Sequence, residues 1–299
     1  MAVRRSDLYL PANNEHMILK APTLGADVIT LDMEDSVPPA EKEVARQMVK
    51  KHIKKMSTTG SEAWVRINAW DTDLTLADLD AVVVDGLDGI TLPKCSGLAD
   101  VRRLDDEITR LEKLRGLPVG KIKIAILIET ALGVLTVDES VGGSSRLVAV
   151  IFGAVDYTRD MRVTRTDKAD EQFYARAKIG VAARAHGLVA EDAPFPNYSD
   201  VEAFEANCRS GAQLGFEGRQ IINPRQIAAA HKVYSPDPAR VEWAKKITKV
   251  FEEEGLAKGS ASVGFEGSMI DIPVYRDGLN ILARQKEIEE KESARGAKA

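Results

Sequence analysis

Ala63-Trp-Val-Arg-Ile-Asn68, Ile124-Ala-Ile-Leu-Ile-Glu-Thr130 and Val148-Ala-Val-Ile-Phe-Gly-Ala-Val-Asp156 are apolar runs that each give way to a charged or strongly polar residue near their C-terminal end. Uninterrupted apolar runs of this kind read as strands buried on both faces, which is the mark of a parallel sheet covered by helices. Such folds gather their chemistry at the C-terminal ends of the strands, where Arg66, Glu129 and Asp156 fall. The pattern predicts an α/β enzyme.

Working outward, the same reading places strands near Leu8–Leu10, Asp27–Leu31, Ala63–Ile67, Gly89–Leu92, Lys123–Ile128, Leu147–Phe152, Leu188–Ala190 and Arg219–Ile222. Helical stretches at Pro39–Met56, Leu98–Leu114, Lys168–Ala185 and Val201–Leu214 alternate with them, as parallel pairing requires. Eight such units in roughly 230 residues predict a (β/α)8 TIM barrel rather than an open doubly wound sheet. In the Lys168–His186 segment, Phe173, Ala177 and Val181 recur every fourth residue, which predicts that their face packs inward. The barrel is expected over residues 1–234. Residues 235–299 read as a C-terminal helical extension: a helix at Ala239–Glu254, a Gly/Ser/Ala stretch at Gly255–Gly267, and a last helix containing Leu279, Leu282 and Ile288. The charged end from Glu287 to Ala299 is expected to fray.

The 299 residues carry 46 acids and 41 bases mixed throughout, for a formal net charge of −5, so no basic stripe suits a nucleic acid. Cys95 and Cys208 are too isolated for a disulfide framework, which fits a reducing compartment. The N-terminal Met-Ala-Val-Arg-Arg-Ser-Asp lacks a signal-peptide core, and no apolar run approaches a membrane span. A cytoplasmic protein without membrane partners is the expectation.

Glu129 and Asp156 end consecutive strands, so in a barrel they meet at the mouth. Two carboxylates there suit a hard cation such as Mg2+, which keeps waters and takes its other oxygens from substrate. Each acid could instead cap a helix or pair with a base. Arg66 is placed to grip a substrate carboxylate in a bidentate pair, with Asn68 orienting it, or to form a structural pair with Glu34, Asp35 or Glu129. In Leu31-Asp-Met-Glu-Asp-Ser-Val-Pro38, Glu34 and Asp35 read as partners of metal-bound water and of Arg66, and Asp32 reads equally well as a turn acid. His16, His52, His186 and His231 show no metal-ligand spacing and read as structural or solvated, and no serine nucleophile elbow or phosphate loop is present.

Eight segments occur in order: Arg5-Ser-Asp-Leu-Tyr-Leu-Pro11, Leu31-Asp-Met-Glu-Asp-Ser-Val37, Val65-Arg-Ile-Asn68, Ile90-Thr-Leu-Pro-Lys94, Ile128-Glu-Thr-Ala-Leu-Gly133, Phe152-Gly-Ala-Val-Asp-Tyr157, Gly215-Phe-Glu-Gly-Arg219 and Gly267-Ser-Met-Ile-Asp271. Together they resemble the citrate lyase β-subunit-like branch of the HpcH/HpaI aldolase family across nearly the whole chain. The resemblance implies a Mg2+-dependent carbon–carbon lyase acting on a citryl, citramalyl or malyl thioester of coenzyme A or an acyl-carrier protein. It assigns Glu129 and Asp156 to the metal, Arg66 and Glu129 to the oxo-acid portion, and Asp271 to a proton relay that reaches a neighbouring subunit's site. It further implies a homotrimer or hexamer whose C-terminal extension packs on or into a neighbour, with other citrate lyase subunits as further partners. Asn223, in Ile221-Ile-Asn-Pro-Arg-Gln-Ile227, stands where many relatives carry His, a feature closer to citrate lyase β-subunits. Two other readings remain open: a Mg2+-dependent aldolase of a free hydroxy-oxo acid, and a non-catalytic scaffold subunit of a lyase complex.

Overall fold

The computed structural model describes residues 2–166 and 168–296. Eight parallel strands, β1 (Ser6–Pro11), β2 (Val28–Asp32), β3 (Glu62–Arg66), β4 (Gly89–Leu92), β5 (Lys123–Ile128), β6 (Leu147–Phe152), β7 (Val189–Asp192) and β8 (Gly218–Ile221), close into one barrel, β8 pairing with β1. Around it run α1 (Glu15–Lys20), α2 (Lys42–Met56), α3 (Thr75–Val82), α4 (Leu98–Leu114), α5 (Ala131–Ser140), α6 (Ala154–Asp160), α7 (Phe173–Ala185), α8 (Val201–Gln213) and α9 (Ile227–Tyr234). The fold is the (β/α)8 barrel that the strand–helix alternation predicts. Among the described residues no helix is long and apolar enough to cross a membrane.

Side-chain alternation divides each strand between two environments. In β5, Ile124, Ile126 and Ile128 join the large core under the helices, while Ala125 and Leu127 join Val28, Trp64, Ala149, Ile151 and Val189 in a second cluster inside the barrel. Trp64 needs a glycine across from it on β4, because a Cβ at Gly89 would lie 2.5 Å from the indole.

The interior also holds a polar layer. Thr30 Oγ1 donates to Asp7 Oδ1 at 2.6 Å, which favours the ionised form of Asp7, while burial raises that acid to about 7. Burial, with the charge of Asp7 beside it, keeps Glu191 protonated far above the usual carboxylate range. In the barrel's centre the pair is therefore harder to ionise than either acid would be in water, and Glu191 holds its proton the longer of the two.

The helical period in α7 is real, but its face is reversed. Phe173 and Val181 are 61% and 70% exposed, and the buried face is Ala175, Arg176, Ile179, Gly180, Ala182 and Ala183. Small side chains let the helix lie close on the sheet, so bulk alone does not mark the inner face.

The extension consists of α10 (Pro238–Val250), a hairpin of β9 (Ser262–Phe265) and β10 (Ser268–Asp271), and α11 (Ile272–Gly296). The hairpin forms where a plain Gly/Ser/Ala stretch is expected. It contributes Val263, Phe265 and Ile270 to a small separate core with Ile247 and Phe251, and Phe251 stacks on Tyr275 at 4.9 Å. The expected fraying from Glu287 does not occur as far as Gly296, because the charges of α11 find partners at the N-terminal pole of the barrel. Lys291 Nζ donates to Val3 O at 2.6 Å, and Arg295 donates to Gly25 O at 2.7 Å and to Asp27 Oδ1 at 3.0 Å. Residues 297–299 lie outside the described residues.

Asp27 anchors this pole, accepting also from Arg5 Nε at 2.9 Å, and His231 Nε2 lies 2.8 Å from Ser6 Oγ. Burial, reinforced by Arg5 and Arg295, lowers His231 to about 4, against the pull of Asp27. The folded chain therefore resists protonation that the unfolded chain accepts near 6.5, so stability is full above 6.5 and is lost as pH falls toward 4. Glu129, whose raised value works in the opposite direction over the same window, is common to wild type and His231→Gln, so in urea unfolding the wild type should lose about 2–3 kcal/mol relative to the variant as pH falls from 6.5 toward 4. An unchanged slope in the variant would assign the loss to other groups.

Candidate active site

Glu129 is fixed from both sides. β5 ends at Ile128, and Thr130 caps α5 by accepting from Gly133 N, so the residue between them has no freedom to swing. Its side chain is 2% exposed, and its Oε1 accepts from Lys94 N at 2.8 Å. Lys94 takes the left-handed conformation, φ +49°, and so contributes two contacts: its backbone N–H to Glu129 and its Nζ, at 2.8 Å, to Glu34 Oε1. Asp156 lies in the first turn of α6 rather than on β6, where it pairs with Arg159. Asp160, on the same helix, accepts from Ala131 N at 2.7 Å and ties α6 to the start of α5. Glu129, Asp156 and Lys94 line one cavity of ≈ 440 Å³.

Strand register builds the neighbouring cluster. Asp32 and Arg66 are direct partners across β2 and β3, and both side chains point into the barrel mouth. Arg66 Nε and Nη2 each donate to Asp32 at 2.7 Å, Nη1 lies 3.1 Å from Glu34 Oε2, and the guanidinium sits 5.5 Å from the Tyr9 ring centre. Two of its five N–H donors bond Asp32 and Nη1 is ion-paired with Glu34, so donors remain for a ligand. Lys42 Nζ holds the backbone carbonyls of Met33 and Glu34, each at 2.7 Å, and Asn68 Oδ1 at 2.9 Å, so the acid-bearing loop after β2 is pinned.

The electrostatics call for a cation. Burial, then the charges of Glu34 and Asp156, push Glu129 up to about 8 against the opposing field of Arg66. Glu34 is raised as well, by burial, and its buried Oε2, although ion-paired with Arg66 Nη1 at 3.1 Å, accepts no well-aligned hydrogen bond. Glycine at 153 admits the Glu129 carboxylate, because a Cβ there would lie 2.6 Å from its Oε2, and the cavity of ≈ 440 Å³ leaves its other flank open. Two carboxylates with an open flank, and an acceptor that a metal-bound water could serve, fit Mg2+, which needs only one or two protein carboxylates. Among the described residues no group of three His, Cys, Asp or Glu side chains forms a protein-only metal cage.

The structure brings together Glu129 and Asp156, and links Arg66, Glu34 and Glu129 through Lys94. Asp35 is exposed and acts on this cluster only through its charge, which raises Glu34 and Lys94. Asp271 is not brought in: its Oδ1 accepts from Val274 N at 3.1 Å at the start of α11, the helix that packs on the opposite pole. Asp32 holds Arg66 and is more than a turn acid. Nothing in its side chain singles out Lys94 in the sequence, although the Leu92-Pro-Lys94 end of a strand marks the position.

Fold and site define a parallel (β/α)8-barrel enzyme with a carboxylate pair poised for a hard cation at its catalytic face. The HpcH/HpaI aldolase/citrate lyase family profile matches residues 5–224, and the chain belongs to that family. It is 39% identical over 280 residues to the citrate lyase subunit beta of Leuconostoc mesenteroides subsp. cremoris, covering 94% of this chain and 92% of that protein. It is 32% identical over 299 residues to the mitochondrial citramalyl-CoA lyase of Homo sapiens, covering 96% and 87%. A crystal structure of CitE from Mycobacterium tuberculosis in complex with magnesium, acetoacetate and coenzyme A superposes with a TM-score of 0.76 at 28% identity, covering 95% of this chain and 98% of that one.

Proposed function

We propose that this chain is a Mg2+-dependent carbon–carbon lyase that cleaves a 3-hydroxy-3-carboxyacyl thioester of the citryl, citramalyl or malyl type into an oxo acid and an acyl thioester. The observation that carries this reading is the buried Glu129, raised to about 8 and facing the same cavity as Asp156, in a chain of this family. Glu129 and Asp156 would hold Mg2+, which when bound lowers the pKa of a coordinated hydroxyl and polarises the carbonyl that replaces it. Arg66, held by Asp32 and Glu34, presents its remaining N–H donors to the carboxylate of the oxo-acid portion. Lys94 fixes the Glu129 carboxylate through its backbone N–H. Cleavage breaks the bond between C2 and C3: the 3-hydroxyl loses its proton, its electrons form the oxo-acid carbonyl, and the bonding pair passes to the thioester α-carbon, which is then protonated.

Asp271 is the proposed proton relay. Because α11 lies on the pole opposite the mouth, the relay would come from a neighbouring copy in a trimer or hexamer, with the 235–299 extension packing on that neighbour. An exposed apolar face on adjacent helices, Leu132 and Leu135 on α5 with Phe173, Tyr174 and Val181 on α7, supports self-association. Identity to a citrate lyase β-subunit and Asn223 favour the citryl type, delivered on coenzyme A or on an acyl-carrier protein beside other citrate lyase subunits in the cytoplasm.

Purified protein with Mg2+ and citryl-, citramalyl- or malyl-thioesters, on both carriers, should release oxaloacetate, pyruvate or glyoxylate respectively, and chelation should stop release. Asp271→Asn should lose turnover while retaining oxo-acid binding. Cleavage of a free hydroxy-oxo acid alone would assign the aldolase reading, and no product with any substrate would assign the scaffold reading.

A further inference from the structure

The loops on the β7–β8 side of the mouth enclose a second cavity of ≈ 270 Å³, behind the barrel wall and distinct from the one holding Glu129 and Asp156. Three guanidiniums line it: Arg165 from the segment joining α6 to α7, Arg176 from α7, and Arg219 from β8. One wall carboxylate answers them. Asp192, at the end of β7, accepts from Arg176 Nε at 3.2 Å and Nη2 at 2.5 Å, and lies 3.8 Å from Arg219 Nη1. Arg219 is otherwise satisfied by Ala193 O at 2.7 Å, Asn207 Oδ1 at 2.6 Å and Cys208 Sγ at 3.6 Å.

Arg165 is different. Its one hydrogen bond among the described residues is to Pro194 O at 3.5 Å, and none of their carboxylates forms an ion pair with it. Glu171, the other described acid whose charge favours the Arg165 cation, is engaged by Thr166 and Gln172, at 2.7 Å in each case. Burial and the like charge of Arg219 both work against the Arg165 cation. A half-buried guanidinium held against two others, with a single acid already taken, is an electrostatic cost that a bound anion removes.

We propose that this cavity binds a small di- or tricarboxylate at Arg165 and Arg176. Planar guanidiniums match carboxylates, and Asn197 and Asn207 add amide donors at the rim. Ala169, Phe195 and Pro196 supply an apolar wall that a bare inorganic oxyanion would leave unfilled, and the volume suits a ligand of a few carbons. Arg165 follows α6, the helix whose first turn carries Asp156, so an occupant would immobilise the chain leading away from the catalytic cavity.

The test is calorimetric titration of the Mg2+-free full-length protein with succinate, citrate and inorganic phosphate, using wild type, Arg165→Gln and Arg66→Gln. Binding of a carboxylate that Arg165→Gln weakens about tenfold or more, and that Arg66→Gln leaves intact, is the expected result. Asn207→Ala, which removes no charge, should weaken it less. Binding lost in Arg66→Gln and kept in Arg165→Gln would place the carboxylate in the catalytic cavity and overturn the proposal. So would Arg165-dependent binding of phosphate alone, or no binding of any probe at millimolar concentration.

Discussion

Glu129→Gln is expected to abolish turnover, by about a thousandfold or more, while making the Mg2+-free protein more resistant to heat. The two effects share one cause. Burial and the neighbouring acids raise the folded-state value of Glu129 to about 8 from an ordinary 4.5. Between those values the unfolded chain carries the ionised carboxylate freely and the folded chain does not, so this residue destabilises the fold increasingly as pH rises from 4.5 toward 8. Gln cannot ionise, and its amide oxygen can still accept from Lys94 N. The gain at neutral pH should be on the order of 1–3 kcal/mol. Mg2+ should raise the melting temperature of the wild type and leave that of the variant nearly unchanged, because stabilisation by a ligand requires that it bind. Differential scanning calorimetry with and without Mg2+ checks both statements. A variant that melts earlier than wild type in chelator would show that the carboxylate is not under the strain its surroundings imply.

Arg66→Lys should cost about a hundredfold in kcat/KM although the charge is kept. The wild-type guanidinium uses its fork twice, side-on to Asp32 and end-on toward Glu34 and the cavity. An ammonium can serve one of these acids but not hold the other in register, which leaves Asp32, 2% exposed, with only the backbone N–H groups of Glu34 and Ser36. Stability should fall by about 2–4 kcal/mol, since one end of a buried pair is left poorly matched. Steady-state kinetics together with urea unfolding would separate these effects. Near-normal kcat/KM with lowered stability would make Arg66 a structural residue.

The barrel was legible because its strands are apolar on both faces and spaced by helices, and five or more apolar residues in a row, as in Ile124–Ile128, leave little else to read. The sequence pattern ends β7 at Ala190, because Glu191 and Asp192 look like loop residues in sequence, whereas the strand continues to place one acid in the barrel interior and the other behind its wall. Periodicity gave α7 a stripe but not its direction, and close packing favoured the alanine side. At the candidate site, the strand-end rule puts Arg66 and Glu129 at the mouth, which is where the fold places them. It also led to Asp156, although that residue has passed into a helix. Pairing register, which one sequence does not display, decides that Asp32 is the anchor of Arg66. The role of Lys94 rests on a left-handed backbone that a lysine adopts only when its surroundings require it, and nothing in its side-chain chemistry announces this.

The proton that Glu191 keeps beside Asp7 alters how the molecule behaves in an electric field. A count that ionises every acid gives −5, but Glu191 keeps its proton and Glu129, raised to about 8, mostly keeps its own, so near neutrality the native chain should migrate as a less negative particle than its composition implies. Denaturation frees these groups, and capillary electrophoresis of native and urea-unfolded protein at the same pH should register the missing negative charge.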